Sequence, residues 1–331
     1  MTQNQQWNLS ATENYSLNFT TMGVRCVEVG ILVVIIVFGL IGNLSLCAMI
    51  YRTRQLQTVS NFLVINLSIS DLFRIILSLT ISTSVLAKRS WIAGDIFCQV
   101  NGFYTLLFLS SSLLSVTLIT LNRYYLVVKP NKAKTVFSKR NAKVMLIFLW
   151  CLSVLSAIPP VFGMGKYGFV AARATCFIEM GSTWTYTSLL VIVLIATPFS
   201  LMIWCYVKVY VALLRSKKRV INELAPTTEN SVEVGCTREM KVAQTVLVLV
   251  GVYIITWIPV FVLHFIRLSR AAHVPYHVDL LTAYLIGLSC VTNPWIYGSK
   301  HKQFYEQLRT VFCLKWTRDT AQGTDRHIGW A

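Results

Sequence analysis

The chain has 331 residues, of which 55% are hydrophobic and only 13% charged, with a mean hydropathy of +0.60. Soluble globular chains carry about 25% charged residues, so this one lacks the groups to cover itself against water, and a pair of soluble domains is excluded. A formal net charge of +17 would point a soluble protein toward nucleic acid; here the charges fall between long apolar runs, and no nucleic-acid partner is expected.

A membrane core about 30 Å thick takes roughly 20 apolar residues in a helix, and the chain divides on that scale. Residues 1–26 form a tail with three sequons, at Asn8, Asn14 and Asn18, which are predicted glycosylation sites. The first span, about 27–51, starts too far along and is too long for a cleaved signal peptide, and reads as a signal anchor. The second, 59–87, is interrupted by Asp71 and Arg74. The third, 95–128, is uncharged from Ile96 to Asn122 despite its many Ser and Thr. The remaining spans are predicted at 143–162, 184–214, 241–267 and 278–299. Beyond them, residues 300–313 place Phe304, Leu308, Val311 and Phe312 on one face. An amphipathic helix lying on the membrane and ending at a palmitoylated Cys313 is the expectation there, followed by a tail at 314–331. The predicted fold is an all-α bundle of seven transmembrane helices.

Charge sets the orientation. With the N-terminus outside, the inner segments hold 22 of the 30 Lys and Arg and the outer ones seven, while the acids divide seven to five. This is the positive-inside bias, and it predicts a multi-pass plasma-membrane protein with an extracellular N-terminus and a cytoplasmic C-terminus. Of the nine cysteines, Cys26, Cys98 and Cys176 fall outside, where disulfides are permitted. Cys98 opens the third span and Cys176 lies in the long loop before the fifth; that pair is the predicted disulfide, and Cys26 is left over.

Seven short motifs then stand in order, one per span: Gly42-Asn43; Asn66-Leu67 with Asp71; Cys98 followed at the far end by Asn122-Arg123-Tyr124; Trp150; Pro198 with Tyr206; Trp257-Ile258-Pro259; and Asn293-Pro294-Trp295-Ile296-Tyr297. In this the chain resembles the rhodopsin-like (class A) G-protein-coupled receptors over about residues 25–313. It shares Asn-Arg-Tyr and a general layout with melatonin receptors. The resemblance implies a heterotrimeric G protein as partner, arrestin as a second one, an extracellular small-molecule ligand, and no enzymatic activity.

An ionisable group inside a span is costly and marks function by default. The resemblance implies that Asp71, with Asn43, Ser112 and Asn293, holds an allosteric sodium ion; no other cofactor is expected. It also implies that Arg123 pairs with Glu239 in the resting state. On activation Arg123 would turn toward Tyr206 and Tyr297 while Trp257 and Pro259 reshape the sixth span. Two residues depart from the usual pattern. Asn122 stands where an acid is usual, which leaves open a decoy or arrestin-biased receptor, and Thr256 replaces a Cys.

Ligand identity is mostly bounded by exclusion. Opsins carry a Lys in the seventh span for their retinal Schiff base, and at that depth this chain has Gly287. Amine receptors carry an acid seven residues after the third-span Cys, and Thr105 is there. Arg74, one turn from Asp71 on the same face, either pairs with it or faces the pocket as a counter-charge for an acidic ligand. His264 and Arg267 add basic groups toward the mouth, and Trp257 is expected beneath the ligand. Gly163 to Gly168 matches G-x-G-x-x-G but lies in a loop after Pro159-Pro160 and reads as a turn. A seven-span transporter would need charged or broken helices along a through-path, and only Asp71 and Arg74 are offered.

Overall fold

The computed structural model describes residues 21–91, 93–179, 184–223, 248, 250–263, 266, 274–298, 304 and 308. Asn8, Asn14, Asn18, Glu239, His264, Arg267 and Cys313 lie outside the described residues. Seven helices form the bundle: α1 (Met22–Arg52), α2 (Val59–Lys88), α3 (Gly94–Val128), α4 (Lys139–Ala157), α5 (Trp184–Glu223), α6 (Val250–Leu263) and α7 (Tyr276–Gly298). The first five are long and apolar enough to cross a membrane. In α7 the apolar run is diluted by Asp279, Asn293 and Pro294.

Helix starts follow local chemistry. Thr21, Thr58 and Ser138 each stand just before a helix and accept a hydrogen bond from the amide three residues on, at 3.5, 3.3 and 3.2 Å, which satisfies a donor that no helical carbonyl can reach. One end differs from expectation. The fourth span stops at Ala157, not near 162, and Pro159–Phe162 forms a 3-10 turn. Two consecutive prolines lack the amides that an α-helix needs, so the helix gives way to a turn.

α3 runs through the middle of the bundle, and its buried residues continue from Cys98 to Tyr124. Asn66 of α2 donates to Ser115 Oγ of α3 at 2.8 Å and accepts from Trp150 Nε1 of α4 at 2.9 Å, so one amide fastens three helices. Gly42 lets α1 meet α7 closely, since a Cβ there would come within 2.8 Å of Pro294 Cγ. Outward faces carry exposed Val34, Phe38, Phe148, Leu155 and Ile255, the surface expected of helices solvated by lipid. Phe304 and Leu308, four residues apart, are both buried in the main core. Phe304 sets its ring edge-on to Trp295.

One end of the bundle is covered by a hairpin, β1 (Tyr167–Val170) paired antiparallel with β2 (Thr175–Ile178). The chain reaches it through Gly163 and Gly165, both at positive φ, so the glycine-rich motif is a turn. Gly102 lets β1 rest on α3: a Cβ there would lie 2.6 Å from the Tyr167 ring. Tyr167 Oη donates to Ala157 O at 2.6 Å. Burial pushes this phenol above its usual range, so it stays a neutral donor. The Cys98–Cys176 disulfide, with Cα atoms 5.4 Å apart, ties β2 to α3, as expected, while Cys26 is exposed and forms no disulfide among the described residues. Cys98→Ser is expected to cost about 2–5 kcal/mol, the usual loss with a native disulfide, and to lower the amount of folded protein. Thermal unfolding of the purified variant checks this.

Candidate functional site

Under the hairpin lies a cavity of about 160 Å³. Thr175, Phe177 and Ile178 of β2 line it from above, and Leu113 of α3 and Trp257 of α6 at its deeper end. Aliphatic side chains make up most of the wall. The polar lining consists of Ser, Thr and Tyr hydroxyls with Arg74 and Arg173, and no described lining residue is an acid. Thr105 lines the wall and exchanges a 2.9 Å hydrogen bond with Ser78. Arg173, in the turn between the strands, pairs with Asp279 of α7 at 3.5 Å and pins the hairpin across the bundle.

Two π turns border this cavity, at Ile75–Leu79 in α2 and Val191–Ala196 in α5. A π turn inserts one extra residue into a helix and rotates the residues beyond it. In α5 it precedes Pro198, which has no amide to give to Leu194, and Thr197 bonds back to Ile192 instead. Ser78, Leu79, Val191, Leu194 and Ile195 all face the cavity from these turns.

Below the cavity sits Asp71, wholly buried. Ser112 Oγ donates to its Oδ1 at 2.8 Å and Asn293 Nδ2 to its Oδ2 at 2.8 Å. Tyr253, one turn before Trp257 on α6, exchanges a hydrogen bond with Ser112 at 3.1 Å and accepts one from Asn293 at 3.2 Å. Arg74 places Nη2 3.9 Å from Asp71 Oδ1. The same guanidinium donates to Ile286 O at 3.0 Å, to Ser289 Oγ at 2.8 Å and to Cys290 Sγ. Asn43 does not join the carboxylate: its amide donates to Gly39 O at 2.8 Å and Cys290 O at 3.0 Å. The cluster therefore joins α2, α3, α6 and α7, and Arg74 both pairs with Asp71 and lines the cavity.

At the opposite end of the bundle lie Asn122, Arg123 and Tyr124. Asn122 is buried and accepts a 2.7 Å hydrogen bond from Ser60 of α2. A polar residue without charge thus suffices there, and its partner is a hydroxyl. Arg123 lies within electrostatic reach of Tyr297 on α7. Tyr124 packs against Trp204 of α5, with ring centroids 5.0 Å apart. Tyr206, half-buried, stacks on Tyr210. Arg123 and Tyr297 thus lie at the same end of the bundle, whereas Tyr206 packs along its own helix.

A family model described as 7 transmembrane receptor (rhodopsin family) matches residues 42–297, from the first-span glycine to Tyr297. The chain belongs to that family. It is a multi-pass membrane receptor and not an enzyme. The receptor is 27% identical over 305 residues to a GQ-coupled rhodopsin of Mizuhopecten yessoensis, covering 88% of this chain and 60% of that protein. It is 26% identical to a rhodopsin of Loligo forbesii (88% of this chain, 66% of that one) and 28% identical to melanopsin-B of Xenopus laevis (84% and 53%). The chain thus spans between about half and two thirds of the length of these relatives. A crystal structure of squid rhodopsin shares its fold, with a TM-score of 0.77 at 23% identity, covering 94% of this chain and 93% of that one.

The sodium ion that class A resemblance implies does not fit this cluster. Asp71 is the only acid among its described residues, and Arg74 already supplies a positive charge 3.9 Å away. A sodium ion held by Asp71 would compete with that guanidinium for the same carboxylate, and like unit charges about 4 Å apart repel by about 4 kcal/mol at an effective dielectric of about 20. A sodium ion would therefore leave a net positive charge inside the membrane. Of the four expected ligands, Ser112 and Asn293 donate their hydrogens to the carboxylate, and Asn43 is engaged elsewhere. The amide oxygens of Asn43 and Asn293 are buried with no hydrogen-bond partner among the described residues. They are neutral acceptors of a kind that one bound water satisfies.

Three residues of this network carry little signal in the sequence. Tyr253 stands four positions before Trp257, a spacing that puts both on one helix face, but an aromatic in an apolar span reads first as core. Ser289 and Cys290 pass as small residues of an apolar span; their role depends on Arg74 reaching across from α2.

Proposed function

We propose that this chain is a G-protein-coupled receptor for a small, predominantly apolar molecule that binds in the cavity beneath the hairpin. One arrangement carries the reading: Trp257 lines the deep end of the cavity, and Tyr253, one turn along the same helix, is hydrogen-bonded into the Asp71 cluster. A ligand that displaces Trp257 acts on α6, and through Tyr253 on α3 and α7. This is a two-state element on which differential contacts by a ligand can act. Arg123 and Tyr297, on those two helices, form the end that a heterotrimeric G protein engages, with arrestin as the competing partner. The charge distribution supports a plasma-membrane orientation with the hairpin outside and Arg123 in the cytoplasm.

The wall chemistry defines the ligand class. An apolar lining with no acid among its described residues disfavours an amine cation, and Thr105 sits where amine receptors carry an acid. A retinal Schiff base needs a lysine that α7 does not contain, and Gly287 lines the cavity instead. Arg74 is engaged by Asp71 and α7, so an acidic group is not required of the ligand. Hydroxyls of Thr105 and Thr187 offer neutral anchoring points, as apolar pockets with a few polar groups commonly do.

The test is a screen of the full chain in cells, with melatonin, other small neutral aromatic and aliphatic molecules, and small organic acids. G-protein activation is the readout, beginning with the Gq class because of the name of the Mizuhopecten relative. A response to a mainly apolar compound is expected, and Thr105→Phe, which fills the cavity wall, should abolish it at unchanged surface amount. A response that survives Thr105→Phe at full potency would place the ligand elsewhere.

A further inference from the structure

We infer that Arg74 is a tethered cation that takes the place of a diffusible one at Asp71, so that this receptor is indifferent to sodium. Three observations converge on this. Arg74 is almost wholly buried, yet it extends from α2 toward Asp71 on its own helix and toward Ile286, Ser289 and Cys290 of α7. Its charge is therefore spent inside the bundle, where ionisable groups persist only when paired. The carboxylate is already met on both oxygens, by Ser112 and Arg74 at Oδ1 and by Asn293 at Oδ2. Finally, Asn43 spends its amide hydrogens on Gly39 O and Cys290 O and makes no hydrogen bond to the carboxylate, so the cationic partner that Asp71 has is the guanidinium.

A covalently attached cation has consequences that a dissolved ion lacks. Its occupancy does not depend on salt concentration, and it cannot leave when the bundle rearranges. Arg74 also lines the ligand cavity, as do Ile286 and Gly287 of the α7 segment it holds. Ligand and cation therefore share a wall.

The experiment compares thermal unfolding of the purified full chain in sodium chloride and in choline chloride at equal ionic strength. The wild type is expected to show the same midpoint in both salts. Arg74→Met, which removes the charge but keeps a long side chain, is expected to gain a saturable rise in midpoint with sodium. That gain should vanish when Asp71→Asn is added. A saturable sodium-dependent rise in the wild type, lost in Asp71→Asn, would overturn the inference. So would a folded Arg74→Met that remains indifferent to sodium. The wild-type comparison needs no variant and decides by itself should Arg74→Met fail to accumulate.

Discussion

Glu28→Ala is expected to destabilise the folded receptor by about 3–5 kcal/mol, the usual cost of stripping one partner from a buried ion pair. Glu28 of α1 and Arg89, at the end of α2, form a salt bridge in which both side chains are under a tenth exposed. Tyr276 of α7 completes it, accepting from Arg89 Nη1 at 2.8 Å and donating to Glu28 Oε1 at 3.4 Å. Tyr284 donates to the Glu28 carbonyl at 3.2 Å. Three helices are therefore joined by one charge pair at the hairpin end of the bundle. Arg89 sits at φ 59°, a left-handed conformation uncommon for a residue other than glycine. The backbone accepts that cost, and the side chain ends in the pair. Arg89→Ala is expected to lose a similar amount, because it leaves the Glu28 carboxylate buried without its cation. The double replacement Glu28→Leu with Arg89→Met should recover much of the loss, since no unpaired charge remains. Thermal unfolding of the wild type and the three variants checks these expectations. Single losses below about 1 kcal/mol, the range of an exposed pair, would show that the pair is solvated.

That pair also shows where the sequence stops being informative. Asp71 is identifiable because an acid in the middle of an apolar run has few explanations, and Ser112 and Asn293 are named as its partners by the resemblance to class A receptors. Glu28 and Arg89 lie at span ends, where charges are ordinary, and 61 positions apart. Nothing local links them, and only the packing of α1 against α2 does. The hairpin is hidden for a related reason. Tyr167–Val170 and Thr175–Ile178 are four residues each, too short for an alternating pattern to stand out, and they are held by a disulfide and by Tyr167 on Gly102. The π turns have no signal in Ile-Ile-Leu-Ser-Leu, although Pro198 offers one for α5. For Arg74 the sequence poses a choice between pairing with Asp71 and facing the pocket. The structure shows both, because its guanidinium spans the wall between them.

The largest expected effect on activity is at Arg123. It lies in the last turns of the third helix, within electrostatic reach of Tyr297, at the far end of the bundle from the hairpin. Asn122, next to it, is neutral and bonded to Ser60, so no neighbouring acid on α3 holds the guanidinium back. If the ligand cavity, Trp257, Tyr253 and the Asp71 cluster form one two-state element, its output must be read at this end, and Arg123 is the cation that offers it. Removing that side chain should abolish signalling while leaving the apolar core in place, because Arg123 is only partly buried.

The decisive measurement is G-protein activation in cells, taken across the G-protein classes for wild type and Arg123→Ala at matched surface amounts. A wild-type signal, basal or ligand-evoked, is expected to fall to background in Arg123→Ala. An undiminished signal in Arg123→Ala would contradict the coupling of cavity to Arg123, and would mean that this bundle reports its ligand by another route.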